Sequence, residues 1–201
     1  MPRINKRLDT DVCQFEFELD EREYAAIGRA MVQWAYLEQS VYKMSVAIAE
    51  FVGVELSAEA RSVSFSRRVR VLRDLVSAHA TDAEKARMLR LLDRVANVEQ
   101  DRHQVAHGTW EWEPENPEVL RVSCLRPGKT FEKQYDFERI VEVGDRIGQL
   151  SFEIEYPGGW EQAFTDTISG GDAEADHVSF FSASRDFVRA ITKSKSATGT
   201  G

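Results

Sequence analysis

Cysteine is scarce: Cys13 and Cys124 are the only two in 201 residues, far apart and in no C-x-x-C arrangement. That excludes a disulfide framework or a thiolate metal cluster, and both read as ordinary thiols. No apolar run approaches the ~18–20 residues that a membrane-crossing helix needs. Basic residues open the chain at Met1-Pro2-Arg3-Ile4-Asn5-Lys6-Arg7. No apolar stretch follows them, so no secretory signal is read there and the cytoplasm is the expected compartment. A G-x-S-x-G elbow and a Gly-rich phosphate loop are both missing, which removes two common hydrolase chemistries. Positive charge is in deficit, with 26 Lys and Arg against 34 Asp and Glu and a net charge of −8. That balance argues against a protein that coats nucleic acid without selectivity.

What is present suits a globular domain with a real core, since 42% of residues are apolar and 30% charged. The charge is uneven. From Arg61 to Arg102, Lys and Arg outnumber Asp and Glu ten to six, either as a solvated helix face or as a basic surface.

The helical period is clearest near the start. Ile27, Met31, Trp34, Leu37, Val41, Met44, Ile48 and Phe51 recur in steps of three and four. This predicts a helix over 21–52, opened by a capping box of Asp20 and Glu23 and stopped at Gly53. A second helix carries Phe65, Val69, Leu72, Leu75 and Val76. Thr81 with Glu84 opens a third, with Met88, Leu91, Leu92, Val95 and Val98 inward and Gly108 as its stop. Val119 to Leu125 and Thr130 to Tyr135, split by Pro127-Gly128, read as a hairpin. Asp136 then caps a fourth helix carrying Phe137, Ile140, Val141, Ile147, Leu150 and Ile154. Residues 1–19 read as an N-terminal extension and 20–156 as the helical domain. A segment over 157–192, with a short helix from Phe180 to Ile191, is expected to dock on the bundle, and 193–201 is expected to be a disordered tail.

One residue breaks the inward stripe of the third helix. After Val98 the period assigns Arg102 to the core, and then Val105. A guanidinium buried there needs an acidic partner or a cleft, and Glu38 on the first helix is a candidate partner. The surrounding run is Glu99-Gln100-Asp101-Arg102-His103-Gln104-Val105-Ala106-His107-Gly108-Thr109-Trp110. His107 closes a helix, at the negative end of its dipole, where an imidazole can serve as general acid or base. Arg102 can offer a fixed charged fork to phosphate oxygens.

Arg102-His103-x-x-x-His107 resembles the R-x(4–6)-H motif of the HEPN superfamily. The wider frame is similar too: Trp34-x-x-Leu37-Glu38 on a long helix, then R-x-x-x-x-H-G-x-W, a hairpin and a closing helix. His103 stands where related bacterial sequences carry Asn. The resemblance covers about residues 20–155. It implies a mainly α, HEPN-like four-helix up-down bundle with a small β-hairpin between the third and fourth helices. It also implies a metal-independent endoribonuclease, acting as a homodimer that brings two motifs together, with no cofactor. In that reading His107 activates the ribose 2′-OH or protonates the leaving oxygen, and Arg102 stabilises charge on the phosphoryl oxygens. His103, Asp101 and Glu38 support them, and Arg67, Arg68 and Arg94 guide the RNA backbone. Products are a 2′,3′-cyclic phosphate and a 5′-OH. A toxin or phage-defence role, with a cognate antitoxin or partner protein, goes with the same resemblance.

Two other readings stay open. A non-catalytic HEPN-like module that binds a partner protein or nucleotide fits the acidic balance better. A metal site is the other, since Glu99, His103 and His107 share one helix face, but His79 and His177 are isolated and nothing obvious completes the coordination. Trp110 and Trp112 read as packing residues near a strand start.

Overall fold

The computed structural model describes residues 19–113, 116–126 and 129–157. The expected docking segment, its helix over 180–191, the C-terminal tail, His177 and Cys13 lie outside them. The described chain is mainly α, with four helices and a small antiparallel sheet. In order these are α1 (Glu21–Val52), a 3-10 turn (Ala58–Arg61), α2 (Phe65–His79), α3 (Asp82–His107), β1 (Thr109–Glu113), β2 (Asn116–Arg126), β3 (Lys129–Tyr135) and α4 (Phe137–Glu155). No helix among the described residues is long and apolar enough to cross a membrane.

Helix ends follow local chemistry. Asp20 Oδ1 accepts from the Glu23 N–H at 2.8 Å, and Glu23 Oε2 accepts from the Asp20 N–H at 2.8 Å. This reciprocal pair satisfies two amides that a helix start leaves open. Partial burial pushes the Asp20 carboxyl up, but the Glu23 amide and the Arg22 guanidinium outweigh it and hold it below its ordinary value. Asp20→Ala is expected to cost about 1 kcal/mol in a urea titration at pH 7. Because the folded carboxyl titrates low, that contribution holds above the unfolded value and fades as pH falls through the folded one. At the other end Gly53 takes φ +70°, and the Val54 N–H bonds the Ala49 carbonyl at 3.0 Å, a left-handed cap. Asp136 caps α4 through the Arg139 N–H at 2.8 Å.

Contacts divide the chain into two compact units. Among the described residues, the first comprises 19–34 together with Glu99–Arg146, and the second Ala35–Val98 together with 147–157.

In the first unit the sheet runs β1-β2-β3: the expected hairpin is β2 with β3, and β1 adds a third strand to it. Thr109 pairs with Ser123 and Trp110 with Val122, while Leu120 pairs with Tyr135 and Val122 with Lys133. Leu120, Val122 and Cys124 alternate into the core, the period-2 face that marks the strand in the sequence. The Cys124 thiol is free and buried. Along the first turns of α1 the buried apolar positions are Ala26 and Ala30, whereas Ile27 and Met31 are only half-buried. The reason is close helix approach: a Cβ on Gly144 of α4 would lie 3.4 Å from the Ala30 Cα, so small side chains face each other there. On α4, Val143 is buried and Val141 half-buried, one step away from the expected stripe.

In the second unit Leu37, Val41, Met44 and Ile48 are buried on α1. Leu72 and Val76 are buried on α2, Met88, Leu92 and Val95 on α3, and Leu150 and Ile154 on α4. Phe51, expected inward, is 41% exposed. A buried polar contact sits among them: Ser40 Oγ lies 3.0 Å from Ser151 Oγ and donates to Glu155 Oε1 at 2.8 Å.

Candidate functional site

The last turns of α3 are held from two sides, and all the groups involved belong to the first unit. Asp101 accepts from Lys133 Nζ on β3 at 2.7 Å and from Arg146 on α4 at 3.3 Å. Beneath it, the Tyr135 hydroxyl donates to Gln104 Oε1 at 3.0 Å in a buried bond. The Trp110 ring packs on Tyr135 at 5.6 Å, the packing role expected for it. Asp101 therefore positions the helix end rather than facing solvent alone.

Arg102 occupies the inward position that the period assigns it. Its guanidinium lies over the Trp34 ring, 4.8 Å from the centroid, a cation–π contact. Its Nε is buried and meets no hydrogen-bond acceptor. The acidic partner expected for it is replaced by an aromatic face, and no ion pair forms between Arg102 and a described residue. Glu38 instead lines a cleft within the second unit. The buried Nε is out of a ligand's reach, but the terminal nitrogens of this half-buried fork make no hydrogen bond to a described residue and retain capacity for an anion that carries good acceptors.

One residue on, His103 and His107 lie a helical turn apart with ring centroids 5.0 Å from each other. His107 is exposed and His103 half-buried. The chain turns away at once through Gly108, whose N–H bonds the Gln104 carbonyl at 2.9 Å. Any side chain there would overlap Val122 Cγ1 and lie 2.6 Å from the Gln104 oxygen. Gly108 is therefore a close approach of helix end to sheet as well as a helix stop.

The structure thus gathers Asp101, Arg102, His103 and His107 at one helix end. Glu38, Arg67, Arg68 and Arg94 belong to the second unit. Among these arginines, Arg94 is committed to a carboxylate, bonding both oxygens of Glu153 at 2.6 and 3.0 Å. Arg67 is exposed, and Arg68 donates through Nε to the Ser62 carbonyl at 2.5 Å. Lys133, Gln104, Tyr135 and Arg146 escaped the sequence reading. A faint signal existed in Gln104, which shares a turn with inward Val105, but its partner on β3 has no local signature. Among the described residues, no group of three or more His, Cys, Asp or Glu side chains is arranged to hold a metal ion.

Burial pushes the Lys133 ammonium down, but its bond to Asp101 and the nearby Tyr135 outweigh this and raise it above its ordinary 10.5. Burial and the Asp101 charge raise the Tyr135 phenol above 10.0, against the opposing pull of Lys133. Both groups hold their protons more tightly when folded. Their contribution is complete below the unfolded values and is lost as pH rises through the folded ones. Urea midpoints should hold steady to about pH 10 and fall above it. Tyr135→Phe should flatten that fall, and an unchanged alkaline slope would rule the phenol out.

No family model, curated protein or solved structure matches this chain.

Proposed function

We propose that the chain is a HEPN-like, metal-independent endoribonuclease whose reacting groups are Arg102, His103 and His107. The observation that carries this reading is Arg102 itself, a cation held on Trp34 without a described carboxylate partner, on the same helix end as two imidazoles whose centroids are 5.0 Å apart. Cleavage of an RNA phosphodiester through its own 2′-OH needs three things: a base at the 2′-oxygen, an acid at the 5′-oxygen, and a fixed positive charge beside the phosphoryl oxygens. His107 takes the 2′-OH proton, the 2′-oxygen bonds to phosphorus, and the bond to the 5′-oxygen breaks. His103 supplies the proton to that departing oxygen, and Arg102 neutralises the charge that accumulates between. The products are a 2′,3′-cyclic phosphate and a 5′-OH. Dependence on the 2′-OH restricts the substrate to RNA.

The pairing of two copies into a dimer, and a toxin or phage-defence setting, rest on the sequence resemblance alone. A second reading, a binding module without catalysis, draws support from the basic stretch. Arg70, Arg73 and Arg94 are matched by Glu59, Asp93 and Glu153, which lowers the positive charge that the stretch offers to RNA. The two readings separate on incubation of mixed RNAs with the protein in EDTA, followed by analysis of product ends. Cyclic-phosphate ends that vanish in His107→Ala support the enzyme. No cleavage of any RNA at any salt concentration supports the binding module.

A further inference from the structure

We infer that an open cleft formed by α1, the 3-10 turn and the start of α2 is a binding site for a small zwitterion, with an oxyanion at one end and a protonated amine at the other. The cleft has a volume of about 350 Å³, and Glu38, Gln39, Tyr42, Ala60, Arg61 and Arg68 line it. That is the small end of the range for ligand sites. It uses neither Arg102 nor either histidine of the cleavage proposal.

Three charged side chains in the cleft form no ion pair with a described residue. Arg61 spends its Nε on the Tyr42 hydroxyl at 3.3 Å, and Arg68 spends its Nε on the Ser62 carbonyl. Neither forms an ion pair with a described carboxylate, and Glu38 forms none with a described cation, although all three line one cleft. Three other arginines of the same unit close on carboxylates, Arg70 on Glu59 at 2.6 Å, Arg73 on Asp93 at 2.7 Å and Arg94 on Glu153 at 2.6 Å, while exposed Arg67 and Arg90 do not. In the cleft the Nε bonds instead fix each stem and leave the terminal nitrogens of two forks for a ligand. Two forks favour an oxyanion that accepts several bonds, and Glu38 favours an ammonium. A single molecule satisfies all three only if it carries both charges, separated by a short spacer. Tyr42 supplies a flat wall for that spacer, and buried Ala60 a small apolar floor. Carboxylate and phosphate serve the forks equally.

The test uses the full chain and four probes: β-alanine, O-phosphoethanolamine, inorganic phosphate and ethylamine. Amide chemical shifts of Gln39, Tyr42 and Ala60 are followed up to tens of millimolar. At least one of the two bifunctional probes is expected to bind at least tenfold more tightly than phosphate or ethylamine, and the tighter of them identifies the anion. Glu38→Gln should bring the bifunctional probes to within about twofold of phosphate while leaving phosphate unchanged. The Arg61→Ala/Arg68→Ala pair should weaken all anionic probes at least tenfold, and Arg94→Ala should change nothing. If the alanine pair does not fold, the corresponding Lys pair, which keeps the charge and removes the fork, should still lose several-fold. Absence of saturable shifts, bifunctional probes no tighter than phosphate, or equal losses in Arg94→Ala would each overturn the assignment.

Discussion

On the proposed ribonuclease reading, replacing His107 by Ala is expected to slow RNA cleavage in EDTA by about 10²–10⁴-fold, and replacing Arg102 by Ala to slow it by a similar factor. The two variants differ in what else they disturb. His107 is exposed, and the structure gives it one ring contact, to His103, so its truncation should leave the urea midpoint nearly unchanged. Arg102 covers Trp34, and its removal should also cost about 1 kcal/mol of stability. Arg102→Lys separates the two effects, because it keeps a charge over the ring without the planar fork. Its rate should fall between wild type and Arg102→Ala. In a two-imidazole mechanism His103→Ala should lower the rate as well. An oligonucleotide with a 2′-deoxy sugar at the cleavage site should resist every form of the protein. Wild-type rates in His107→Ala would rule His107 out as a reacting group.

Gly108→Ala is expected to destabilise the fold by roughly 3 kcal/mol, enough to lower Tm by up to about 10 °C. The added methyl would overlap Val122 Cγ1 and approach the Gln104 carbonyl oxygen to 2.6 Å. Val122 is 1% exposed within β2, and its strand is paired on both sides, so it has little room to yield. The opposite sign is expected at Gly28. It sits inside α1 with nothing within 4 Å of a Cβ, and Gly28→Ala should stabilise by up to about 1 kcal/mol. Adding Val122→Ala to Gly108→Ala should recover part of the loss, since it removes one of the two colliding groups. Equal, small effects at Gly108 and Gly28 would show that the helix end and sheet are not in this close approach.

Much of the architecture is written in short-range pattern. The span of α1, the Asp20–Glu23 box, the Gly53 stop and the Asp136 cap depend on groups no more than a few residues apart. The alternation of Leu120, Val122 and Cys124 likewise marks its own strand. Pattern misled where neighbouring helices set the terms. Ala26 and Ala30 are buried in place of Ile27 and Met31 because Gly144 brings α4 close, and nothing within α1 signals that. β1 is five residues long, so its period marks a strand start at Trp110 and Trp112 without revealing its pairing with β2.

The sequence by itself determined that an arginine would face inward near the end of α3, with two histidines one turn apart, since helical period alone sets those directions. Only the tertiary structure decided what answers them. Trp34 rather than Glu38 covers Arg102, Lys133 and Arg146 hold Asp101, and Glu153 neutralises Arg94. The physical reason is range. Caps and periods act within a few residues along the chain, whereas the partner of a charge depends on which distant side chain folding carries to within about 4 Å of it.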